Sequence, residues 1–227
     1  GNAAQAGTDL HALTEQVDRG ELNLEDVPEE HRADVRAYVF AMHNAGVEII
    51  PEYIERLVVN TTVDVAGTFD RIVRLPDGRL VIADLKTGKD LAYSWGDIAI
   101  QLAVYRNADG VYDPTTNTYG PLPGLDPSIG LVMHLPVGKA TCTLYKVDIG
   151  AGWEAAQIAS TVRMWRGRKD LAELFDTSAY RLRLIDRAIE RASSLDVLLE
   201  LWKANKDCWT DQHTAAAAAR RAELRTT

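Results

Sequence analysis

The chain has 227 residues, 46% of them hydrophobic, and a net charge of −8. That is apolar material for one domain with an appendage or two small ones, but no apolar run approaches the roughly 18 residues of a membrane span and no basic-then-apolar leader opens the sequence, so a soluble, cytoplasmic protein is expected. Cys142 and Cys208 are the two cysteines, which excludes a disulfide framework and an all-cysteine zinc or iron–sulfur site; the acidity is local, with 12 Asp/Glu against 4 Lys/Arg in residues 1–60 and 21 of each in 61–227, leaving a neutral body free to carry a basic groove.

In chain order, a first helix is expected from a Thr8 cap, with Leu10, Leu13 and Val17 as its apolar face and His11 and Glu15 one turn apart on another. A second is expected over 27–43, opened by a capping box of Asp26 and Glu29, striped by Val35, Tyr38, Val39 and Met42, and ended by Gly46. His31 and His43 have no partner spacing and read as surface residues. A strand is expected over 53–60, carrying Glu55.

The stretch from Val63 to Tyr105 carries the chemistry. Pro76-Asp77-Gly78 is a turn between two runs rich in Val, Ile and Leu. With Leu75 facing Arg79 across it, Asp70 falls opposite Asp84, and alternation puts Lys86 on the same face. Ile72, Ile82 and Leu80 share that face and Val73, Val81 and Leu85 the other, so the sheet is expected to be covered on both sides. Two carboxylates about 5 Å apart repel unless a cation lies between them. A lysine bridging two aspartates could be a structural ion cluster; a divalent cation held by the carboxylates, with lysine beside it, accounts for the expensive burial better.

Ser94 and Asp97 suggest a capping box for a helix over 95–108, which places Gln101 and Tyr105 on one face while Ile98, Leu102 and Val104 pack. Residues 107–128, rich in Gly, Pro, Asn and Asp, read as a long loop. A hairpin of 129–136 and 141–149 turns at Val137-Gly138-Lys139, with His134 beside it and without chemistry. A helix over 152–168 ends in Arg163, Arg166 and Arg168, which serve its dipole or hold phosphates. From 177 the pattern is wholly helical, around Leu182, Ile185 and Ile189, then Leu195, Leu198, Leu199 and Trp202, then 215–224. Trp165, Trp202 and Trp209 read as core before they read as base-stacking groups.

Gly67-x-x-Asp70, Asp84-x-Lys86-Thr87-Gly88 and Gln101-x-x-x-Tyr105, in that order, resemble the RecB-like branch of the PD-(D/E)XK nuclease superfamily, nearest to the RecB-like exonucleases of actinobacterial phages and the CRISPR-associated nucleases related to them. The resemblance implies an α/β fold, a restriction-endonuclease-like core of mixed sheet flanked by helices, over residues 1–176, with a helical appendage at 177–227. It implies a metal-dependent deoxyribonuclease, an exonuclease in phage DNA recombination, repair or processing, in the host cytoplasm if phage-encoded. Gly7 and His11 match the family's Gly-x-x-x-His element, making His11 a metal ligand with Asp70, Asp84 and the Leu85 carbonyl, for Mg²⁺ or Mn²⁺. Glu55 best matches the family's preceding acidic position, with Glu48 and Glu52 as rivals. Lys86 would act on the attacking water and on phosphate charge, while Gln101 and Tyr105 would position the strand. DNA is the implied partner, with a recombination or repair protein as a further one and no membrane. Many CRISPR-associated relatives carry an iron–sulfur cluster on four cysteines; two cysteines here imply none. The alternative is a catalytically inert domain of the same fold that binds DNA or a protein.

Overall fold

The computed structural model describes residues 2–113 and 115–225; Gly1, Pro114, Thr226 and Thr227 lie outside them. The chain divides into two compact units, residues 1–167 and 168–227. Among the described residues no helix is long and apolar enough to cross a membrane.

The first unit opens with α1 (Asn2–Asp18), a 3-10 turn (Leu24–Asp26) and α2 (Glu29–Asn44). Three strands follow: β1 (Glu48–Asn60), β2 (Val65–Arg74) and β3 (Leu80–Lys86). Helix α3 (Trp95–Arg106) leads to the short strands β4 (Gly110–Asp113) and β5 (Thr118–Gly120), then β6 (Ile129–His134), β7 (Thr143–Asp148) and α4 (Ile149–Arg166). The seven strands form one sheet in the order β5-β4-β1-β2-β3-β6-β7. β6 lies parallel to β3 and the other pairings are antiparallel. A parallel neighbour needs a crossover, and α3 lies in the connection between these two strands.

Both faces of the sheet are covered, as the apolar alternation of β2 and β3 requires. Val73, Val81, Ala83, Leu85, Leu131 and Met133 pack with Leu10, Val35, Tyr38 and Met42 of α1 and α2. Ile72, Ile82 and Val132 pack on the other side with Ile98 and Leu102 of α3 and with Ile149 at the start of α4. A fixed α/β frame therefore surrounds the three motif strands and the motif helix.

Several local expectations change. α1 begins before Thr8, because Ala4, Gln5 and Ala6 are good helix formers, and the Thr8 hydroxyl donates to the Ala4 carbonyl from inside the helix. α2 begins at Glu29 without a side-chain cap. Pro28 holds Val27 extended (φ −62°, ψ 134°) and strands Asp26 in the 3-10 turn. Ser94 does precede α3, but its own backbone is already helical (φ −107°, ψ −7°), so its hydroxyl makes no cap. β1 starts at Glu48, its register slipping between Ile49 and Ile54. The expected loop 107–128 contains β4 and β5, whose Val111, Tyr112, Thr118 and Tyr119 suit strands; its Pro114 is outside the described residues. α4 starts at Ile149 on an Asp148 cap that accepts the Ala151 N–H at 3.0 Å.

The second unit contains α5 (Ser178–Glu190), α6 (Leu195–Ala204) and α7 (Asp211–Glu223), after an exposed irregular stretch, 168–177. Ile185, Ile189, Ala192 and Leu198 form its small core. Of the apolar positions expected to pack, Ile185, Ile189 and Leu198 do so, while Leu195, Leu199 and Trp202 are exposed and Leu201 and Trp209 pack against the core.

Candidate active site

The turn fixes the register. Leu75 N–H donates to Arg79 O at 2.9 Å, Gly78 takes φ +87°, and the ladder runs Arg74 with Leu80, Val73 with Val81, Ile72 with Ile82 and Arg71 with Ala83. It stops one step short of Asp70 and Asp84, where β3 takes up its pairing with β6. The Asp70 carboxylate enters that gap and accepts the Leu85 N–H at 2.8 Å.

Asp84 is 2% exposed. Its buried Oδ2 lies 2.8 Å from Lys86 Nζ, the one ion pair this oxygen makes among the described residues. Burial first, then the Asp70 charge, raise the Asp84 pKa to about 6 against the pull of Lys86. Lys86 Nζ also donates to Gln101 Oε1 at 3.0 Å, and Gln101 Nε2 to the Tyr105 hydroxyl at 3.5 Å. The two α3 residues, one turn apart, thus reach down to the sheet lysine. Gly67 is what allows Tyr105 to lie there: a methyl group at 67 would come within 2.8 Å of Tyr105 Cε1.

α1 delivers the imidazole. His11 Nδ1 is 3.6 Å from Asp70 Oδ2, and its surroundings include the Leu85 carbonyl. Burial lowers the His11 pKa, opposed by Asp70, so the ring is neutral at pH 7 and keeps a lone pair for a ligand. Residues 7, 11, 14 and 18 form one stripe of α1, and each meets the sheet. A methyl at Gly7 would come within 2.7 Å of Thr87 Oγ1, so the glycine lets the helix approach the end of the third strand. At the other end, Arg71 donates from Nε to Asp18 Oδ2 at 2.6 Å and from Nη2 to Thr14 Oγ1 at 2.8 Å.

Arg71 was not singled out by motif, yet the sequence contains its signal. It follows Asp70 on a strand buried on both faces, so alternation puts a full charge among Val73, Leu85 and the helices above them. Tyr38, whose ring centroid is 5.6 Å from the Arg71 guanidinium carbon and whose hydroxyl donates to Asp18 at 2.8 Å, completes its surroundings.

Of the three candidate glutamates, Glu55 is the one beside the cluster. The flanking pairs Ile54 with Arg71 and Arg56 with Phe69 put it level with Asp70, and its backbone sits at φ +52°, a left-handed conformation that costs a non-glycine residue on the order of 1 kcal/mol or more. Its side chain is solvent-exposed, yet partial desolvation by its neighbours, then Glu15 and Asp70, raise its pKa to about 7. Glu48 instead pairs with Arg74 at 3.3 Å, and Glu52 lies in the stretch between Ile49 and Ile54 where the register slips. Glu15 has Arg71, Arg19 and Asp70 as its electrostatic neighbours.

The basic residues at the end of α4 are placed differently. Arg163 donates to the Val63 carbonyl, Arg166 is exposed, and Arg168, in the second unit, closes a two-pronged pair with Asp170 at 2.9 and 2.7 Å.

The donors that lie near one another are two carboxylates, a neutral imidazole and a backbone carbonyl, residue types suited to a small hard divalent cation. The burial of Asp84 next to Asp70 fits such an ion, since two neighbouring carboxylates beside one ammonium are otherwise costly to bury. Among the described residues no three His, Cys, Asp or Glu side chains are already gathered around one metal position. Asp70 is turned to the Leu85 N–H and Asp84 to Lys86.

Residues 1–109 match the PD-(D/E)XK nuclease superfamily. The match spans α1 to the end of α3 and includes His11, Glu55, Asp70, Asp84, Lys86, Gln101 and Tyr105. No curated protein matches the chain. The mixed seven-stranded sheet flanked by helices is an α/β architecture consistent with the PD-(D/E)XK nuclease fold.

Proposed function

We propose that the first unit is a divalent-metal-dependent nuclease that hydrolyses DNA phosphodiester bonds. The superfamily match supports the class, and one observation supports this chain's competence: Asp84 is buried beside a second carboxylate, Asp70, with the Lys86 ammonium 2.8 Å away as its ion-pair partner. Asp70, Asp84, His11 and the Leu85 carbonyl would hold Mg²⁺ or Mn²⁺. The bound ion supplies Lewis acidity, polarising a phosphoryl oxygen and making water a better nucleophile.

The chain's own residues do the rest. Lys86, held between Asp84 and Gln101, places a positive charge where negative charge grows on the phosphate and orients the attacking water. Gln101 and Tyr105 orient the strand from α3. Glu55 adds a carboxylate on the Asp70 side. The finer reading, an exonuclease of the RecB-like type in phage DNA recombination, repair or processing, is supported by the order Gly7-His11, Gly67-Asp70, Asp84-Lys86 and Gln101-Tyr105.

End-labelled single- and double-stranded DNA incubated with Mg²⁺, Mn²⁺ or EDTA tests this. Cleavage is expected with either metal and not with EDTA. Asp70→Ala and Asp84→Ala should each reduce it by about a thousandfold or more, a loss of roughly 4 kcal/mol of transition-state stabilisation, with circular dichroism unchanged. Lys86→Ala should lose turnover by a factor on the order of 10²–10³ while calorimetry still records metal binding. Undiminished cleavage by both aspartate variants would make the carboxylates structural; binding of DNA by the wild type without cleavage in either metal would make the domain an inert binder.

A further inference from the structure

A cleft of about 740 Å³ opens beside the cluster, between the start of α1, the loop after β3 and the turn joining β6 to β7. Its volume is within the roughly 300–1,000 Å³ of ligand sites. His11 belongs to both places: it lines the cleft and lies 3.6 Å from Asp70. The other polar side chains of the lining are Thr8, Thr87, Lys89 and Lys139. No carboxylate is among the described lining residues, although the chain as a whole carries −8.

The two lysine-bearing segments are braced. In the loop after β3, Leu135 N–H donates to Lys86 O at 2.9 Å, Val137 N–H to Thr87 O at 3.3 Å, and His134 Nε2 meets Gly88 O at 2.8 Å. Asp90, next to Lys89, is turned to the Ala92 N–H at 2.9 Å. In the turn, the carboxylate of Asp34, 2% exposed, accepts from Gly138 N–H at 2.7 Å and Ala140 N–H at 2.6 Å, clasping the backbone on either side of Lys139. Both lysines are exposed, and among the described residues neither is drawn into an ion pair as Arg79 and Arg168 are. Fixed backbone, free ammonium groups and an acid-free wall suit polyanion binding: phosphate contacts set position and register without reading sequence.

We infer that this cleft binds the sugar–phosphate backbone of a single nucleic-acid strand next to the bond being cut, with Lys89 and Lys139 as its phosphate contacts. The identification of the ligand as a nucleic-acid strand rests on the nuclease reading; the cleft and its lysines do not.

The test uses the full chain in EDTA, where the proposed reaction is silent, and a fluorescent single-stranded oligonucleotide followed by anisotropy between about 50 and 200 mM salt. Lys89→Ala and Lys139→Ala should each weaken binding about fivefold at the low-salt end and each flatten the log–log salt slope by about 0.7; the double variant should lose about 1.4. Lys146→Ala, an exposed lysine on β7 outside the cleft, should change neither. A free 5′-mononucleotide should compete far more weakly than the oligonucleotide, because it offers one phosphate to two lysines. Equal competition would overturn the strand assignment in favour of a nucleotide site. If the double variant binds like the wild type while the wild type cuts DNA with Mg²⁺, the cleft inference fails and the nuclease reading stands. If the slopes fall as stated but nothing is cut, the cleft stands and the nuclease reading fails. No oligonucleotide binding by the wild type, or an equal slope loss in Lys146→Ala, overturns the inference.

Discussion

Arg71 and Asp84 are charges buried in neighbouring strands, 0% and 2% exposed, on opposite faces of one sheet, and the fold treats them in opposite ways. Arg71 is held by groups from the helices it fastens: Asp18 and Thr14 accept from its Nε and Nη2 and the Tyr38 ring lies beside it, while its buried Nη1 has no hydrogen-bond partner among the described residues. Among the described residues Asp84 has an ion pair with Lys86 alone, at 2.8 Å, and the like charge of Asp70 beside it. The difference lies in the number of partners: Arg71 makes two hydrogen bonds to the helix above it, so removing it strips a buried carboxylate of its counter-charge, whereas Asp84 faces a single ammonium beside a second carboxylate. The two are linked, because the helix that Arg71 holds is the helix that brings His11 to Asp70.

The largest expected effect breaks the satisfied side. Arg71→Met should cost about 3–5 kcal/mol in urea unfolding, because it leaves Asp18 buried without its counter-charge and frees α1 from the sheet. Arg71→Lys keeps the charge but loses the fork that serves Asp18 and Thr14 together, so a loss of roughly half that size is expected. A stability change within about 0.5 kcal/mol of zero for Arg71→Met would remove the distinction between the two faces.

A smaller effect, of opposite sign, is expected on the unsatisfied side. The ordinary carboxyl pKa of 3.8 rises to about 6 for Asp84 in the folded chain, by burial and then by Asp70. Between those values the folded state holds a proton that the unfolded state has shed. The stability contributed by protonated Asp84 is therefore complete below about pH 4 and is lost as pH rises through about 6. Asp84→Asn cannot lose it. In EDTA at pH 7.5 the variant should exceed the wild type by on the order of 2 kcal/mol, and at pH 4 the two should coincide. Added Mg²⁺ should raise the wild type and leave Asp84→Asn nearly unmoved. A variant less stable than the wild type at pH 7.5 would mean that Asp84 is as well satisfied as Arg71.

Local chemistry explains which parts of this arrangement could be read from sequence. The placement of Asp70 and Asp84 was legible because Pro76-Asp77-Gly78 fixes the register and a period of two assigns the faces. Gln101 and Tyr105 were legible from helical spacing. Glu55 could be chosen over Glu48 and Glu52 only through resemblance, since its place beside Asp70 follows a register slip and a left-handed backbone that no residue pattern announces. The capping signals of α1, α2 and α3 misled for a common reason, although α3 does start at Trp95 as expected: a Ser, Thr or Asp marks a cap only when its own backbone is non-helical and at the boundary, and Thr8, Asp26 and Ser94 each fail that condition. β4 and β5 were hidden by the Gly, Pro and Asn around them. Lys89 and Lys139 were invisible as a pair, because their cleft joins three segments and one wall depends on Asp34, more than 100 residues away from the turn it clasps.

The smallest expected effect concerns how α3 approaches the unsatisfied face. Gly67 has an ordinary backbone conformation, so an alanine there meets no backbone strain and only the Tyr105 ring, at 2.8 Å from Cε1 and 2.9 Å from the hydroxyl. That ring is the far end of a half-buried side chain packed against the Val63, Val104 and Ala156 cluster, so Gly67→Ala should cost about 1 kcal/mol in urea unfolding as the ring gives way. The displaced hydroxyl then leaves Gln101, the residue that also accepts from Lys86. In a Tyr105→Ala background the clash has no partner, and the cost of Gly67→Ala should fall to within about 0.3 kcal/mol of zero, a coupling as large as the single effect. An unchanged cost in that background would mean that Gly67 makes room for something other than the tyrosine. If the coupling is found, oligonucleotide affinity in EDTA gives the second reading. Gly67→Ala and Tyr105→Ala should then weaken binding to a similar degree, and their combination no further, because both remove the same ring from the same place on the strand's path.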